Sequence, residues 1–171
     1  RGLGDVYKRQ FYSFAYNLKI FIDEARAKGA YPILVTPTSR RRFDENGKSV
    51  NTHGDYPDAV RWVAAKENVP LIELNGMTAT LFNALGVDNS TKAFVHYPAG
   101  TFPGQTKALK DNTHFSTYGA YEVAKCVIEG MKKANLEIAK YLRPDYKGFD
   151  PAQPDSFESF KWNLCSFTEN E

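Results

Sequence analysis

The stretch DNTHF, residues 111–115, places an aspartate and a histidine three positions apart, just before a helix-like segment. Histidine can take and return a proton near neutral pH, because its unperturbed pKa is about 6.5. A carboxylate on the other ring nitrogen fixes the tautomer and stabilises the imidazolium, as in a serine-hydrolase triad. A loop beyond a strand's carboxyl end would also put the pair where open α/β sheets bind ligands. The candidate catalytic residues are therefore His114, as base, and Asp111, as the acid that orients it.

The spacing alone leaves an ordinary interpretation open, since a surface histidine that caps a helix is commoner than a catalytic one. A nucleophile is also missing, because no serine lies in a Gly-x-Ser-x-Gly turn. The HExxH, Walker and GxGxxG motifs are absent from the sequence as well. His53 lies in a polar loop near Asp55, and His96 follows a short apolar run. We expect structural or solvent-exposed roles for both.

Three consecutive arginines, Arg40, Arg41 and Arg42, follow the first predicted strand. In one interpretation they are solvated and pair with Asp44 and Glu45. In the other they bind an anionic substrate near the strand ends, because a guanidinium donates two parallel hydrogen bonds to a carboxylate. The sequence leaves both interpretations open.

The elements that position these residues begin with a helix, predicted because apolar residues recur at three- and four-residue spacing. The residues of its apolar face are Phe14, Leu18, Phe21, Ile22 and Ala25. Gly29 follows as the expected helix stop. The continuous apolar run at residues 33–35 predicts a short strand that is buried on both faces.

Helices and strands then alternate along the chain. A second helix is predicted over residues 57–68, a second buried strand over residues 69–74 and a third helix over residues 78–85. A long loop leads to the strongest helix, residues 116–134, with Ser116 or Thr117 as its N-cap. This order indicates an α/β fold with a parallel sheet. Only two strands are convincing, and two strands do not make a domain, so the sheet is incomplete.

Length and charge exclude several classes of protein. The 171 residues are enough for one domain with a sizeable core. The net charge of +2 comes entirely from residues 1–10, so nothing indicates a nucleic-acid-binding surface. Apolar runs fall short of the ~20 residues that a membrane helix needs.

The two cysteines, Cys126 and Cys165, lack the spacing of a zinc site. They could form one disulfide or remain as two buried thiols. From residue 144 onward the sequence is rich in proline and has no clear periodicity. We expect this segment to be an irregular extension, or a linker, whose aromatic residues pack against the domain. Those residues are Phe149, Phe157, Phe160 and Trp162.

Two stretches resemble known enzymes. DNTHFSTYGAYEVA, residues 111–124, resembles the last conserved block of the SGNH (GDSL) hydrolases, whose Asp-x-x-His supplies the acid and base of a triad. Residues 29–74 resemble the corresponding part of rhamnogalacturonan acetylesterases and their bacterial relatives. The features that carry this likeness are Thr36-Pro37 with the arginines after it, Phe43 with Asn46-Gly47, and Asp55-Tyr56-Pro57 before a helix. The resemblance covers about residues 11–143.

The resemblance implies a flavodoxin-like three-layer α/β/α sandwich with a parallel sheet, and it gives His114 and Asp111 the roles of base and acid. It implies a secreted or periplasmic esterase that removes acetyl groups from plant-wall polysaccharide, rhamnogalacturonan or pectin, without a metal or organic cofactor. Such an enzyme has no nucleic-acid or membrane partner. Residues 40–42 would then meet galacturonate carboxylates. An esterase for another acetylated carbohydrate, such as acetylxylan, and an inactive fragment are the alternatives.

The blocks that carry the family's nucleophilic serine and oxyanion hole are not found in the sequence. DVYKRQ, residues 5–10, resembles translated adapter sequence from transposase-based sequencing libraries. We therefore predict an adapter-derived segment at residues 1–10, the C-terminal portion of an SGNH domain at residues 11–143 with its first strands missing, and the extension at residues 144–171. Such a chain would be inactive alone, and its bare edge strand predicts instability or aggregation. A cooperative thermal melt of soluble monomer would contradict the truncation.

Overall fold

The computed structural model describes the backbone of residues 3–161 and the side chains of residues 11–161. Trp162 and Cys165, for which the sequence predicts packing and a thiol or disulfide, lie outside the described residues. The helices and strands, in chain order, are α1 (Leu3–Ala27), β1 (Leu34–Val35), α2 (Tyr56–Lys66), β2 (Leu71–Ile72), α3 (Leu74–Asn89), β3 (Phe94–Tyr97), β4 (Leu109–Phe115) and α4 (Thr117–Lys133). Short 3₁₀ turns cover Ser90–Ala93, Glu137–Tyr141 and Phe157–Ser159.

The centre of the fold is a parallel pair of strands with helices on both faces. β1 pairs with β2, so that Leu34 lies opposite Leu71 and Val35 opposite Ile72. Because side chains alternate along a strand, these two pairs point to opposite faces. Leu34 packs against the buried residues of α1 and α2, whereas Ile72 belongs to the core shared with α3 and α4. The predicted α/β fold class is therefore confirmed.

The first helix ends as the sequence predicts, but its apolar face is narrower. Gly29 has a φ of +74°, the left-handed conformation that favours glycine after a helix. Ala15 and Ile22 are buried, whereas Phe21, which the spacing placed on the apolar face, is 66% exposed. α1 is 25 residues long. No helix within residues 3–161 has both the length and the apolar character to cross a membrane.

The third helix begins four residues earlier than predicted. The side chain of Glu73 accepts a hydrogen bond from the backbone N–H of Gly76 and so caps the helix at Leu74. Its regular part stops where the sequence placed the stop, because Gly86 has a φ of 73° and a ψ of 178°. After this kink the helical turns resume and run to Asn89.

The predicted long loop after α3 is wrong, because β3 and β4 form an antiparallel hairpin there. Phe94 lies opposite Phe115 and Tyr97 opposite Leu109, with a shift of register between Phe94 and His96. Most residues of β4 are polar and exposed, so the strand shows no apolar alternation in the sequence. Its pairing depends on backbone hydrogen bonds to β3 and on the two phenylalanines, neither of which the sequence pattern shows.

The last helix docks at two glycines. Ser116 is the N-cap and accepts a hydrogen bond from the backbone N–H of Gly119 at 3.1 Å. A Cβ on Gly119 would lie 1.8 Å from the carbonyl oxygen of Ala93, and one on Gly130 would lie 2.5 Å from Cγ2 of Ile72. Since real Cβ atoms do not come this close, side chains at these positions would push α4 away from its neighbours.

The segment after α4 packs back along this helix. The ring of Tyr118 contacts those of Phe157 and Phe160, with centroid distances of 5.3 and 5.6 Å. Its hydroxyl donates a hydrogen bond to the carbonyl of Asp155 at 2.6 Å. Nζ of Lys125 lies 2.7 Å from Oδ2 of Asp155. Aromatic contacts and an ion pair therefore hold this irregular segment on α4.

The burial on both faces predicted for the strand at residues 33–35 is wrong. Ile33 is 39% exposed and Val35 is 42% exposed. The reason is that, within residues 3–161, β1 pairs only with β2. Its other edge therefore presents unpaired backbone groups beside exposed apolar side chains, which favours pairing with another chain.

We expect the 171-residue chain to self-associate through this edge of β1. Val35→Lys places a charge there and should shift the chain toward monomer in sedimentation velocity. Val87→Lys makes the same change at a position that is 43% exposed and outside β1, and it should leave association unaltered. If the unmodified chain sediments as a monomer at all concentrations, this expectation is wrong.

Candidate active site

Asp111 and His114 lie within β4, and the predicted position in a loop beyond a strand end is wrong. The neighbouring residue Phe115 faces the core, with its ring 5.1 Å from that of Phe94. Ser116 then donates a hydrogen bond from Oγ to the carbonyl of Lys92 at 2.6 Å. The end of β4 is thus fixed on its inner side, while His114 remains exposed on the outer side.

The side chains of Asp111 and His114 contact each other directly. Nδ1 of His114 lies 2.6 Å from Oδ2 of Asp111. The second carboxylate oxygen, Oδ1, accepts hydrogen bonds from the backbone N–H groups of His114 at 2.9 Å and Thr113 at 2.6 Å. These donors, first the backbone N–H of His114 and then its ring, lower the pKa of Asp111 to about 2. Asp111 is therefore a carboxylate at neutral pH.

This geometry fixes the role of each ring nitrogen. A carboxylate only accepts hydrogen bonds, so Nδ1 of His114 must carry a proton. In the neutral imidazole Nε2 is then unprotonated and can accept one. The side chain of His114 is 78% exposed, which leaves Nε2 open to solvent. The pair has the tautomer and orientation that a general base needs.

The three predicted binding residues separate into two kinds. The guanidinium of Arg41 donates to Oδ1 of Asn112 at 3.0 Å, to Oγ of Ser90 at 3.0 Å and to the carbonyl of Val87 at 2.7 Å. The backbone N–H of Arg41 also donates to the carbonyl of Asn112 at 2.9 Å. The hydrogen-bond donors of Arg41 are therefore used within the protein, and two of them bind Asn112, which lies between the candidate acid and base.

Arg40 and Arg42 are exposed, and their segment runs beside Asn112 through the backbone of Arg41. The expected pairing with Asp44 is not found, because Oδ1 of Asp44 accepts hydrogen bonds from backbone N–H groups of its own turn. Within residues 11–161, no carboxylate forms a salt bridge with either arginine or with Arg41.

The remaining histidines make hydrogen bonds within the protein. Nε2 of His53 lies 2.8 Å from the carbonyl oxygen of Thr38, and Nε2 of His96 lies 2.9 Å from Oδ1 of Asn112. Sequence reasoning missed Asn112, whose only signal is its place between the candidate acid and base. Burial raises the pKa of the Cys126 thiol to about 12, so this cysteine is no nucleophile. Among the described residues, no cluster of three potential metal ligands is present.

Two proteins of Bacillus subtilis (strain 168) are similar in sequence. Rhamnogalacturonan acetylesterase RhgT is 42% identical over 134 residues, which are 78% of this chain and 58% of that protein. Probable rhamnogalacturonan acetylesterase YesY is 34% identical over 136 residues, which are 80% of this chain and 58% of that protein. The chain is a homologue of the rhamnogalacturonan acetylesterases. The resemblance stated from the sequence is confirmed.

This rhamnogalacturonan acetylesterase homologue also has a solved structural neighbour. Protein YxiM from Bacillus subtilis superposes with a TM-score of 0.61 at 22% identity, covering 79% of this chain and 35% of that one. The neighbour shows a shared fold. No family model matches the chain. The chain spans 58% of the length of each of these two relatives.

We expect the carboxyl group of Asp111 to stay ionised at pH 3, because its pKa is lowered to about 2. The free peptide DNTHF is the reference, since an unperturbed aspartate titrates near 3.9. Carboxyl-carbon NMR during an acid titration measures both. A pKa lowered by folding stabilises the native state above the peptide value, and this contribution is lost as the pH falls toward 2. The same midpoint in protein and peptide would contradict the hydrogen-bonded geometry.

Proposed function

We propose that Asp111 and His114 are the acid and base of a serine esterase that removes acetyl groups from rhamnogalacturonan. The observation that carries the proposal is the 2.6 Å contact between Nδ1 of His114 and Oδ2 of Asp111, which leaves Nε2 as the ring nitrogen that faces solvent and can accept a proton. Two relatives, one named rhamnogalacturonan acetylesterase and one named probable rhamnogalacturonan acetylesterase, support the choice of reaction and substrate.

In the proposed reaction a serine hydroxyl attacks the acetyl carbonyl while Nε2 of His114 takes its proton. The tetrahedral intermediate expels the sugar oxygen, which receives that proton from His114. Water then attacks the acyl-serine and loses a proton to His114. The second tetrahedral intermediate expels the serine oxygen, which takes that proton back from His114, and acetic acid leaves and ionises to acetate. Asp111 stabilises the imidazolium in both halves of the cycle. The resemblance assigns the serine to a Gly-Asp-Ser block, and these 171 residues contain no such block.

The polymer is proposed to lie across Arg40 and Arg42. Both side chains are exposed, and their segment is hydrogen-bonded to the residue between the acid and the base. Galacturonate units carry carboxylates, which such guanidinium groups bind well. Acetylxylan with a neutral backbone offers no such partner, so the charges favour rhamnogalacturonan. Because this polymer lies outside the bacterial cell, the proposal includes a secreted or periplasmic location.

His114→Ala in the full-length product of the gene should abolish acetate release from acetylated rhamnogalacturonan. Loss of a triad histidine removes proton transfer from both steps, and we expect kcat to fall by roughly 10⁴-fold or more. His53→Ala is the matched control, since His53 binds the carbonyl of Thr38 and should leave kcat within about twofold. Acetate release that survives in the His114 variant would contradict the catalytic role of His114. A wild-type protein that releases no acetate would contradict the assignment of acetylated rhamnogalacturonan as the substrate.

Arg40→Ala and Arg42→Ala should each raise KM for acetylated rhamnogalacturonan by roughly three- to tenfold without lowering kcat, because they remove binding rather than transition-state contacts. The increase should shrink at high salt, since exposed charges are screened. Arg143→Ala, an exposed arginine that pairs with Asp145, is the charge-matched control. An equal rise in KM on acetylxylan with a neutral backbone would show that the arginines do not read the polymer's carboxylates.

A further inference from the structure

The guanidinium of Arg41 connects its own segment to two parts of the chain that are distant in sequence. Its N–H groups donate to Val87 in the last turn of α3, to Ser90 in the 3₁₀ turn that follows α3, and to Asn112 in β4. Its positive charge lies against the carbonyl oxygen of Val87, near the end of α3, where a cation is stabilised. Arg41 therefore fastens β4 to the end of α3.

Asn112 receives two donors on one atom. Arg41 has no acceptor, so the amide oxygen of Asn112 must face it. Nε2 of His96 lies 2.9 Å from the same oxygen, so His96 must carry its proton there. The backbone carbonyl of Asn112 accepts a further hydrogen bond from the N–H of Arg41. The side-chain oxygen of Asn112 thus accepts hydrogen bonds from Arg41 and from His96 in β3, and its backbone oxygen accepts one from Arg41.

The backbone at Asn112 matters because it sets the acid against the base. The carboxylate of Asp111 is held by the N–H groups of Thr113 and His114, so the local backbone decides where it points. The register shift near His96 interrupts the ladder between β3 and β4 at this level. The hydrogen bonds from Arg41 hold the backbone of β4 where bonds to β3 are interrupted. They matter for His114 because its side chain is 78% exposed and is not held by packing.

We propose that Arg41 is a positioning residue: through Asn112 it fixes the backbone turn that aligns Asp111 with His114. The catalytic effect of this alignment rests on the proposed function. The alignment of Asp111 with His114 is a geometric feature of the chain and does not depend on that function. The positioning role separates Arg41 from Arg40 and Arg42, to which the proposed function gives contact with the polymer. Arg41 acts on the base and does not touch the substrate.

In the full-length gene product, Arg41→Ala should lower kcat by roughly 10- to 100-fold, because a misplaced base loses near-attack geometry. KM should remain within about twofold, and Arg143→Ala should leave both constants unaltered. Asn112→Ala removes the shared hydrogen bond, and with it the bond from His96 to the same oxygen, while it spares the bonds of Arg41 to Ser90 and Val87. It therefore serves if Arg41→Ala fails to fold. The double variant should lower kcat by less than the product of the two single effects, since both single variants remove the hydrogen bond between Arg41 and Asn112.

A second measurement does not depend on activity. The Nδ1 proton of His114, bonded to Asp111, should give a downfield NMR signal in the wild-type chain, and Arg41→Ala should speed its exchange with water. An unaltered signal together with an unaltered kcat would overturn the positioning role. A lost signal in a protein that hydrolyses no acetyl ester would leave the positioning role and overturn the proposed function. Additive effects in the double variant would show that Arg41 does not act through Asn112.

Discussion

The arrangement of the site depends on the close approach between the start of α4 and the backbone carbonyl of Ala93. Ser116 donates its backbone N–H to that oxygen at 3.1 Å, and the absence of a side chain at Gly119 lets the helix come so near. Because β4 ends one residue before Ser116, this contact fixes the position of the whole DNTHF stretch. A helix docked farther away would move His114 with it.

Backbone donors rather than burial create the carboxylate beside His114. Burial would raise the pKa of an aspartate, whereas hydrogen bonds from the backbone N–H of His114, from its ring and from the backbone N–H of Thr113 lower the pKa of Asp111. The pair can therefore remain open to water and keep its charge and orientation. The orientation of the carboxylate then depends on the conformation of the β4 backbone. The hydrogen bonds from Arg41 to Asn112 hold that backbone in place.

Local signals in the sequence predicted the features that depend on local physics. The cap at Ser116, one of the two predicted caps, the stop at Gly29 and the end of the regular part of α3 before Gly86 follow from side-chain and backbone preferences of those residues. β4 was not predicted, because a polar strand has no apolar period. The role of Arg41 was not predictable either, since its partners Val87, Ser90 and Asn112 lie 46, 49 and 71 positions away. The exposed face of Val35 likewise depends on which strand lies next to it.

The segment after α4 packs against this helix and covers its buried charged residues. Glu122 is fully buried, and burial raises the pKa of its carboxyl group. Nζ of Lys125 lies 2.8 Å from Oε1 of Glu122 and 2.7 Å from Oδ2 of Asp155, so the ammonium pairs with both carboxylates. Removing one partner of a buried pair costs roughly 3–5 kcal/mol, since it strands the remaining charge. α4 is thus stabilised from two directions, by the backbone at Ala93 and by the segment that carries Asp155, and the alignment of the acid and base depends on both.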